Sequence, residues 1–193
     1  KMLYRILKFI ATIFIWPIFR LRVVGRENIP QNEGYILCAN HKSNLDPIFL
    51  AIAFNPSISF MAKKELFENG FLAGLLNAIG VFPVDRDGRD LASLKNSIKL
   101  LKEEKILGVF PEGTRTHDIN RENMKDGVAY IALKAKKDIL PVEIVSSYKP
   151  FRKTYIYINE PINVDNYLNM KSKEAMVKMS DEIFNSIYKR QLA

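Results

Sequence analysis

Cysteine is all but missing from this chain of 193 residues. The one present, Cys38, lies inside the apolar run Tyr35-Ile36-Leu37-Cys38-Ala39, which leaves no internal disulfide and no zinc-ligand spacing. Core packing is the role expected of it, and a reducing, cytoplasmic setting fits. Acidic residues are also scarce: 21 Asp and Glu stand against 29 Lys and Arg, a net charge of +8. That balance suits an anionic partner such as a phosphorylated substrate or an anionic lipid surface. Nucleic acid is not the expected partner, because the basic residues are dispersed and no recognised binding motif accompanies them. No apolar run reaches the roughly 20 residues of a membrane-spanning helix. Repeats, linkers and low-complexity tracts are missing too. A core of ordinary size is available from 48% hydrophobic residues, so one main domain is expected.

What is present begins with a short apolar run, residues 9–19, flanked by Lys8 on one side and Arg20 and Arg22 on the other. It is too short to span a bilayer, and no small-residue cleavage site follows it. Phe9, Phe14, Trp16 and Phe19 between basic flanks suit an amphipathic helix lying in one leaflet. We therefore expect a membrane-anchoring helix over 1–20 and a globular domain over 21–193. That arrangement makes a monotopic, membrane-associated protein on the cytoplasmic face.

Beyond residue 20, short apolar runs alternate with helical patterns. Strands are expected at 21–25, 35–39, 58–62, 81–84, 106–110, 140–146 and 154–158. Pro47 opens a helix over 47–54, with Asp46 as its cap. A second apolar helical stretch runs from Lys63 to Ile79. Asp90 caps an amphipathic helix whose inner face is Leu91, Leu94, Ile98 and Leu101. A helix over 127–137 buries Val128, Ile131, Ala132 and Ala135. A final helix buries Met176, Met179, Ile183 and Ile187. This order predicts an α/β fold with a mostly parallel, mixed sheet flanked by helices.

Ligands of open α/β sheets sit outside the carboxyl ends of the strands. Four expected strands deliver reactive side chains there. The first gives His41 and Asp46, five residues apart across a turn that can fold the carboxylate onto the imidazole, the arrangement of a general base. The others give Lys63, then Arg86, then Glu112 and Arg115. A base with three cations suits a substrate bearing a hydroxyl and a phosphate. Gly113 admits close backbone approach, with its N–H expected free to stabilise an anion.

The segments His41-Lys42-Ser43-Asn44-Leu45-Asp46 and Phe110-Pro111-Glu112-Gly113-Thr114-Arg115 resemble the His-x-x-x-x-Asp and Phe-Pro-Glu-Gly-Thr-Arg motifs of the glycerolipid acyltransferases. Ala62-Lys63-Lys64-Glu65-Leu66, Val81-Phe82-Pro83-Val84-Asp85-Arg86 and Leu140-Pro141-Val142-Glu143-Ile144 look like that family's remaining blocks. The resemblance covers roughly residues 22–145. It implies transfer of an acyl group from an acyl carrier protein or coenzyme A thioester to the sn-2 hydroxyl of lysophosphatidic acid, giving phosphatidic acid, with no metal and no cofactor beyond the thioester co-substrate. It assigns His41 as base and Asp46 as its orienting partner. Lys63, Arg86 and Arg115 become phosphate ligands, and Glu112, Gly113 and Thr114 acceptor-site residues. A substrate with an acyl tail then needs an apolar channel, for which the faces of helices 47–54 and 70–79 are the candidates. An alternative role for Glu112 is to orient an arginine. Direct attack by the acceptor hydroxyl needs no enzyme nucleophile, whereas an acyl-enzyme on Ser43 is the competing route. Glycerol 3-phosphate or a lysophospholipid is the alternative acceptor. A non-catalytic protein binding anionic lipid is the alternative class.

Overall fold

The run Ile36–Ala39 has no exposed residue, and its side chains divide between two separate apolar clusters. Ile36 and Cys38 join one, Leu37 and Ala39 the other. Successive strand residues point to opposite faces, so this strand must lie mid-sheet with both faces covered. A computed structural model of the chain shows this; it describes residues 2–31, 33–55, 57–78, 80–85 and 91–192.

Among those residues seven strands form one sheet: β1 (Leu21–Val24), β2 (Ile36–Ala39), β3 (Ile58–Lys63), β4 (Phe82–Val84), β5 (Ile106–Val109), β6 (Ile139–Val145) and β7 (Thr154–Ile158). Their order is β1-β7-β6-β2-β5-β3-β4. The five strands from β6 to β4 run parallel, while β7 pairs antiparallel with β6 and carries β1 parallel to itself. The sheet is thus mostly parallel and mixed, as the alternating pattern predicts.

Helices cover both faces. On one lie α4 (Leu91–Lys102), α5 (Gly127–Ala135) and α7 (Ser172–Ile187), with the short α6 (Asp165–Leu168). The other is covered by α1 (Met2–Ile18), α2 (Asp46–Ala53) and α3 (Gly70–Ala78). Val128, Ile131, Ala132 and Ala135 are buried as expected, as are Met179, Ile183 and Ile187 of α7, and Met176 packs against the same cluster.

Three expectations need correction. The stretch after β3 is not one helix. Lys63 ends β3, a 3-10 turn occupies Lys64–Phe67, and α3 begins only at Gly70. The inner face of α4 is rotated from the expected one: Leu91 is 63% exposed while Ser93, Ser97 and Leu101 are buried. The two serines tolerate burial because their hydroxyls donate to the Pro83 and Ser93 carbonyls, at 2.9 and 2.7 Å. Asp90, the expected cap, lies outside the described residues. Third, Asp46 is not the cap of α2. Leu45 holds that place and makes no side-chain cap bond.

The first helix is packed, not detached. Ala11, Ile15 and Trp16 rest on the cluster that contains Phe49, Leu50 and Ala53 of α2. The Lys8 ammonium donates to the Phe54 carbonyl, and Arg26 Nη1 donates to the Ala53 carbonyl at 2.9 Å. Two cations thus satisfy carbonyls that the end of α2 leaves without helical partners, at the end of the dipole that favours positive charge.

Candidate active site

The crevice opens where β2, β5 and β3 end. Asp46, fully buried, explains why the turn after β2 has its shape. Its Oδ2 accepts from the Lys42 and Ser43 N–H groups, both at 2.7 Å, and from His41 Nδ1 at 3.0 Å. Its Oδ1 accepts from the Tyr148 hydroxyl at 2.8 Å. The carboxylate therefore folds backward onto the turn and leaves the N–H groups of α2 alone, which is the physical reason it does not cap that helix. Four donors on one buried anion meet the cost of taking it out of water.

The geometry assigns the imidazole proton to Nδ1, facing Asp46, and leaves the Nε2 lone pair free. Among the described residues Nε2 accepts no hydrogen bond, and His41 lines the large cavity. The ring is held by a stack. Phe110 lies on it at 4.1 Å between centroids, and Phe60 on Phe110 at 5.9 Å. Phe60 can lie there because its partner in register on β5 is Gly108, where a Cβ would come within 2.5 Å of the Phe60 ring.

Glu112 is also buried, at 4% exposure. Its Oε1 accepts from the His41 N–H at 3.1 Å and from the Tyr188 hydroxyl at 2.6 Å. Its Oε2 has no partner among the described residues, and the residue lines the cavity. Burial pushes the carboxyl above its ordinary range, against the pull of Tyr188 and the His41 N–H. Among the described residues no arginine pairs with Glu112; a phenol and a backbone amide hold it.

Gly113 also departs from expectation. Its N–H donates to the Phe110 carbonyl at 3.1 Å and is not free for an anion. The turn that closes this bond puts Gly113 at φ +68°, which favours glycine. A Cβ there would also lie 3.3 Å from Lys125 Cε and 3.4 Å from its ammonium. Lys125, whose N–H donates to the Pro111 carbonyl at 3.0 Å, is thus laid along the motif loop.

The cavity measures about 1,110 Å³. His41, Glu112, Gly113, Thr114, Arg115, Lys63 and Lys125 line it with apolar residues of α1, α2 and α3. Pro47, Ile48, Ala51 and Ile52 come from α2 and Leu76 from α3, as expected. Tyr4, Leu7, Ala11 and Ile15 of α1 make a wall that the sequence pattern did not suggest. Thr114 and Arg115 are exposed at its rim. Lys63 is half exposed and pairs with Glu65 at 3.4 Å. Arg86 lies outside the described residues. Cys38 is buried, and burial, reinforced by the Glu112 charge, pushes its thiol well up, which makes it an inert core residue.

No motif or periodicity in the sequence marks Tyr148, Tyr188 or Lys125. Tyr188 comes from the last turn after α7, and the residues that follow it are tied to the fold. Arg190 and Gln191 donate their N–H groups to buried Glu143 at 3.0–3.1 Å, and Lys42 Nζ donates to Gln191 Oε1 at 2.5 Å.

The chain thus presents a paired histidine and aspartate under a phenylalanine stack, on an apolar cavity rimmed with cations. The family model described as Acyltransferase matches residues 20–145. The chain belongs to the acyltransferase family. A relative is the 1-acyl-sn-glycerol-3-phosphate acyltransferase of Bacillus subtilis (strain 168), 34% identical over 169 residues, covering 84% of each chain. The protein of the same name from Streptococcus pneumoniae (strain ATCC BAA-255 / R6) is 31% identical over 194 residues, covering 98% of this chain and 70% of that one. Among solved structures, the 1-acyl-sn-glycerophosphate (LPA) acyltransferase PlsC from Thermotoga maritima superposes with a TM-score of 0.73 at 25% identity, covering 98% of this chain and 80% of that one. The region matched by the family model excludes all of α1 and everything after β6. Those are the segments that bring the helical wall of the cavity, Tyr148 and Tyr188 to the acyltransferase site.

Proposed function

We propose that this acyltransferase transfers a fatty acyl group from a thioester to the sn-2 hydroxyl of lysophosphatidic acid, giving phosphatidic acid. The observation that carries the reading is the seat of the His41–Asp46 pair: the mouth of an apolar cavity, with Lys63, Arg115 and Lys125 on its lining. Nε2 of His41 takes the hydroxyl proton. The alkoxide oxygen attacks the thioester carbonyl, and the tetrahedral intermediate collapses. The departing thiolate takes the proton back from His41, so the enzyme ends as it began. The acyl chain lies along α1 and α2, and the cations hold the phosphate.

Direct transfer is favoured over an acyl-enzyme. Ser43 Oγ accepts from the Leu45 N–H at 3.2 Å within the turn, whereas His41 directs Nδ1 to Asp46 and not to Ser43. An acyl group trapped on Ser43 would overturn that preference. Coenzyme A and acyl carrier protein thioesters are both candidate donors, and no further cofactor enters the reaction.

The test is an acceptor panel: lysophosphatidic acid, glycerol 3-phosphate and lysophosphatidylcholine, each with both donors, in detergent. Lysophosphatidic acid is expected to be the best acceptor. Arg115→Ala and Lys125→Ala should each raise its KM by roughly ten-fold or more while largely sparing kcat, as expected of a lost charge-assisted contact worth about 1.5–3 kcal/mol. Preference for a phosphodiester acceptor, or an unchanged KM in both variants, would contradict the reading.

A further inference from the structure

Tyr148 sits outside the region matched by the family model and outside every motif, yet it touches the centre of the site. It lies in the turn between β6 and β7 with φ +55°, a left-handed conformation that a bulky side chain adopts only where its surroundings over-determine it. Those surroundings are visible. Its N–H donates to Ser146 Oγ at 2.9 Å, and that oxygen is 2.7 Å from Thr154 Oγ1 on β7. Its ring stacks on Phe49 of α2, 6.3 Å between centroids and 7° between planes. The same turn is tied to the end of α1, through Phe151 N–H to the Ile18 carbonyl and Thr154 N–H to the Phe19 carbonyl. All of this aims one hydroxyl at one atom, Asp46 Oδ1.

We propose that Tyr148 is a positioning residue for the His41–Asp46 pair. Its O–H occupies Oδ1 and so opposes rotation of the carboxylate, Oδ2 stays turned to the imidazole and the 42–43 N–H groups together, and His41 is held with Nδ1 protonated and Nε2 bare. The proposal rests on His41 being the base of the proposed acyl transfer. No other described group donates to Oδ1, and Asp46 is fully buried. Without the phenol, Oδ1 is left buried without a donor, and the carboxylate is free to rotate until its two oxygens share the 42–43 N–H groups at the imidazole's expense. Burial and the Asp46 charge both push the phenol's ionisation upward, so it remains a donor throughout the working range.

The test uses the full chain labelled with ¹⁵N in detergent. Only two histidines are present, and exposed His117 is assigned by His117→Gln. The wild type should show one His41 tautomer, protonated at Nδ1. Tyr148→Phe, which keeps the ring stack, should show mixed tautomers. Its kcat should fall about ten-fold with acceptor KM unchanged within about two-fold. In an Asp46→Asn background the same substitution should cost less than about two-fold, because nothing is left to position. A single unchanged tautomer in Tyr148→Phe, a rise in KM alone, or an equal cost in both backgrounds would overturn the proposal. Should that variant not fold, 3-fluorotyrosine placed at 148 is nearly isosteric and a stronger donor. It should displace the His41 Nδ1–H resonance, and an unmoved resonance would overturn the proposal. Were the wild type to acylate no acceptor, the proposed reaction would fall, while the imidazole spectra would still judge Tyr148.

Discussion

Burial raises the Glu112 carboxyl above its ordinary value, and the two donors on Oε1 only partly offset that. The consequence is a stability cost that depends on pH. In the unfolded chain the group titrates near its ordinary value of 4.5. Below that value both states hold the proton and the native contacts of Glu112 contribute fully. As pH rises through the higher folded value, that contribution is lost, since the native state must then bury a charge that the unfolded state leaves in water. Glu112→Gln does not titrate, and its carbonyl oxygen can still accept from Tyr188 and His41. Thermal melts of both proteins should nearly coincide around pH 4 and separate toward about pH 8, with the variant the more stable at the upper end. Parallel curves would show that Glu112 is not buried as an anion. Some stability is therefore exchanged at this residue for a buried acceptor atom at the cavity.

At the scale of elements, α1 does two jobs. One side packs on α2 and lines the cavity with Tyr4, Leu7, Ala11 and Ile15. The opposite side leaves Met2, Ile6, Phe9, Ile10, Ile13 and Phe14 exposed, at 46–78%. Their spacing of three and four residues makes one apolar stripe along the helix. Among the described residues no helix is long and apolar enough to cross a membrane. We propose that this stripe lies in one leaflet, which would place the cavity mouth where lipid substrates are. Phe9→Ser with Phe14→Ser should abolish co-sedimentation with anionic phosphatidylglycerol vesicles, with turnover of detergent-dispersed acceptor retained within a few-fold. Undiminished binding to vesicles would contradict the placement.

The same scale shows what the sequence could and could not reveal. Strand positions were legible because β2, β5 and β6 are buried on both faces and read as short apolar runs. The placement of His41, Lys63 and Glu112 at strand ends followed from that. The inner side of α1 was not legible, because a helix apolar on two sides does not say which side meets protein. Tyr148 and Tyr188 were hidden for another reason. They reach the site from the β6–β7 turn and from beyond α7, separated from Asp46 and Glu112 by 102 and 76 residues, and a lone tyrosine carries no periodicity. Asp46 misled because aspartate before proline is a good helix cap; here the backward-folded turn and the buried imidazole claim its oxygens first.

On the scale of the whole molecule, the sheet brings His41 and the cations to one edge, and two helical layers give that edge different neighbours. The layer of α4, α5 and α7 supplies packing and, through the segment after α7, Tyr188. The layer of α1, α2 and α3 supplies the apolar cavity. His41 thereby lies between a polar rim and an apolar interior, which suits the proposed acceptor with a phosphate at one end and a hydrocarbon chain at the other. The net charge of +8 favours the approach of anionic lipid to that rim.

The proposed reaction turns on His41 acting as the base in direct acyl transfer. The most direct measurement is turnover of lysophosphatidic acid by wild type and His41→Ala, with substrate saturating and folding checked by circular dichroism. Phosphatidic acid is expected from the wild type, with a kcat lower by roughly 10²–10⁴-fold in the variant and acceptor KM little changed. A folded His41→Ala protein that turns over within a few-fold of the wild type would contradict it.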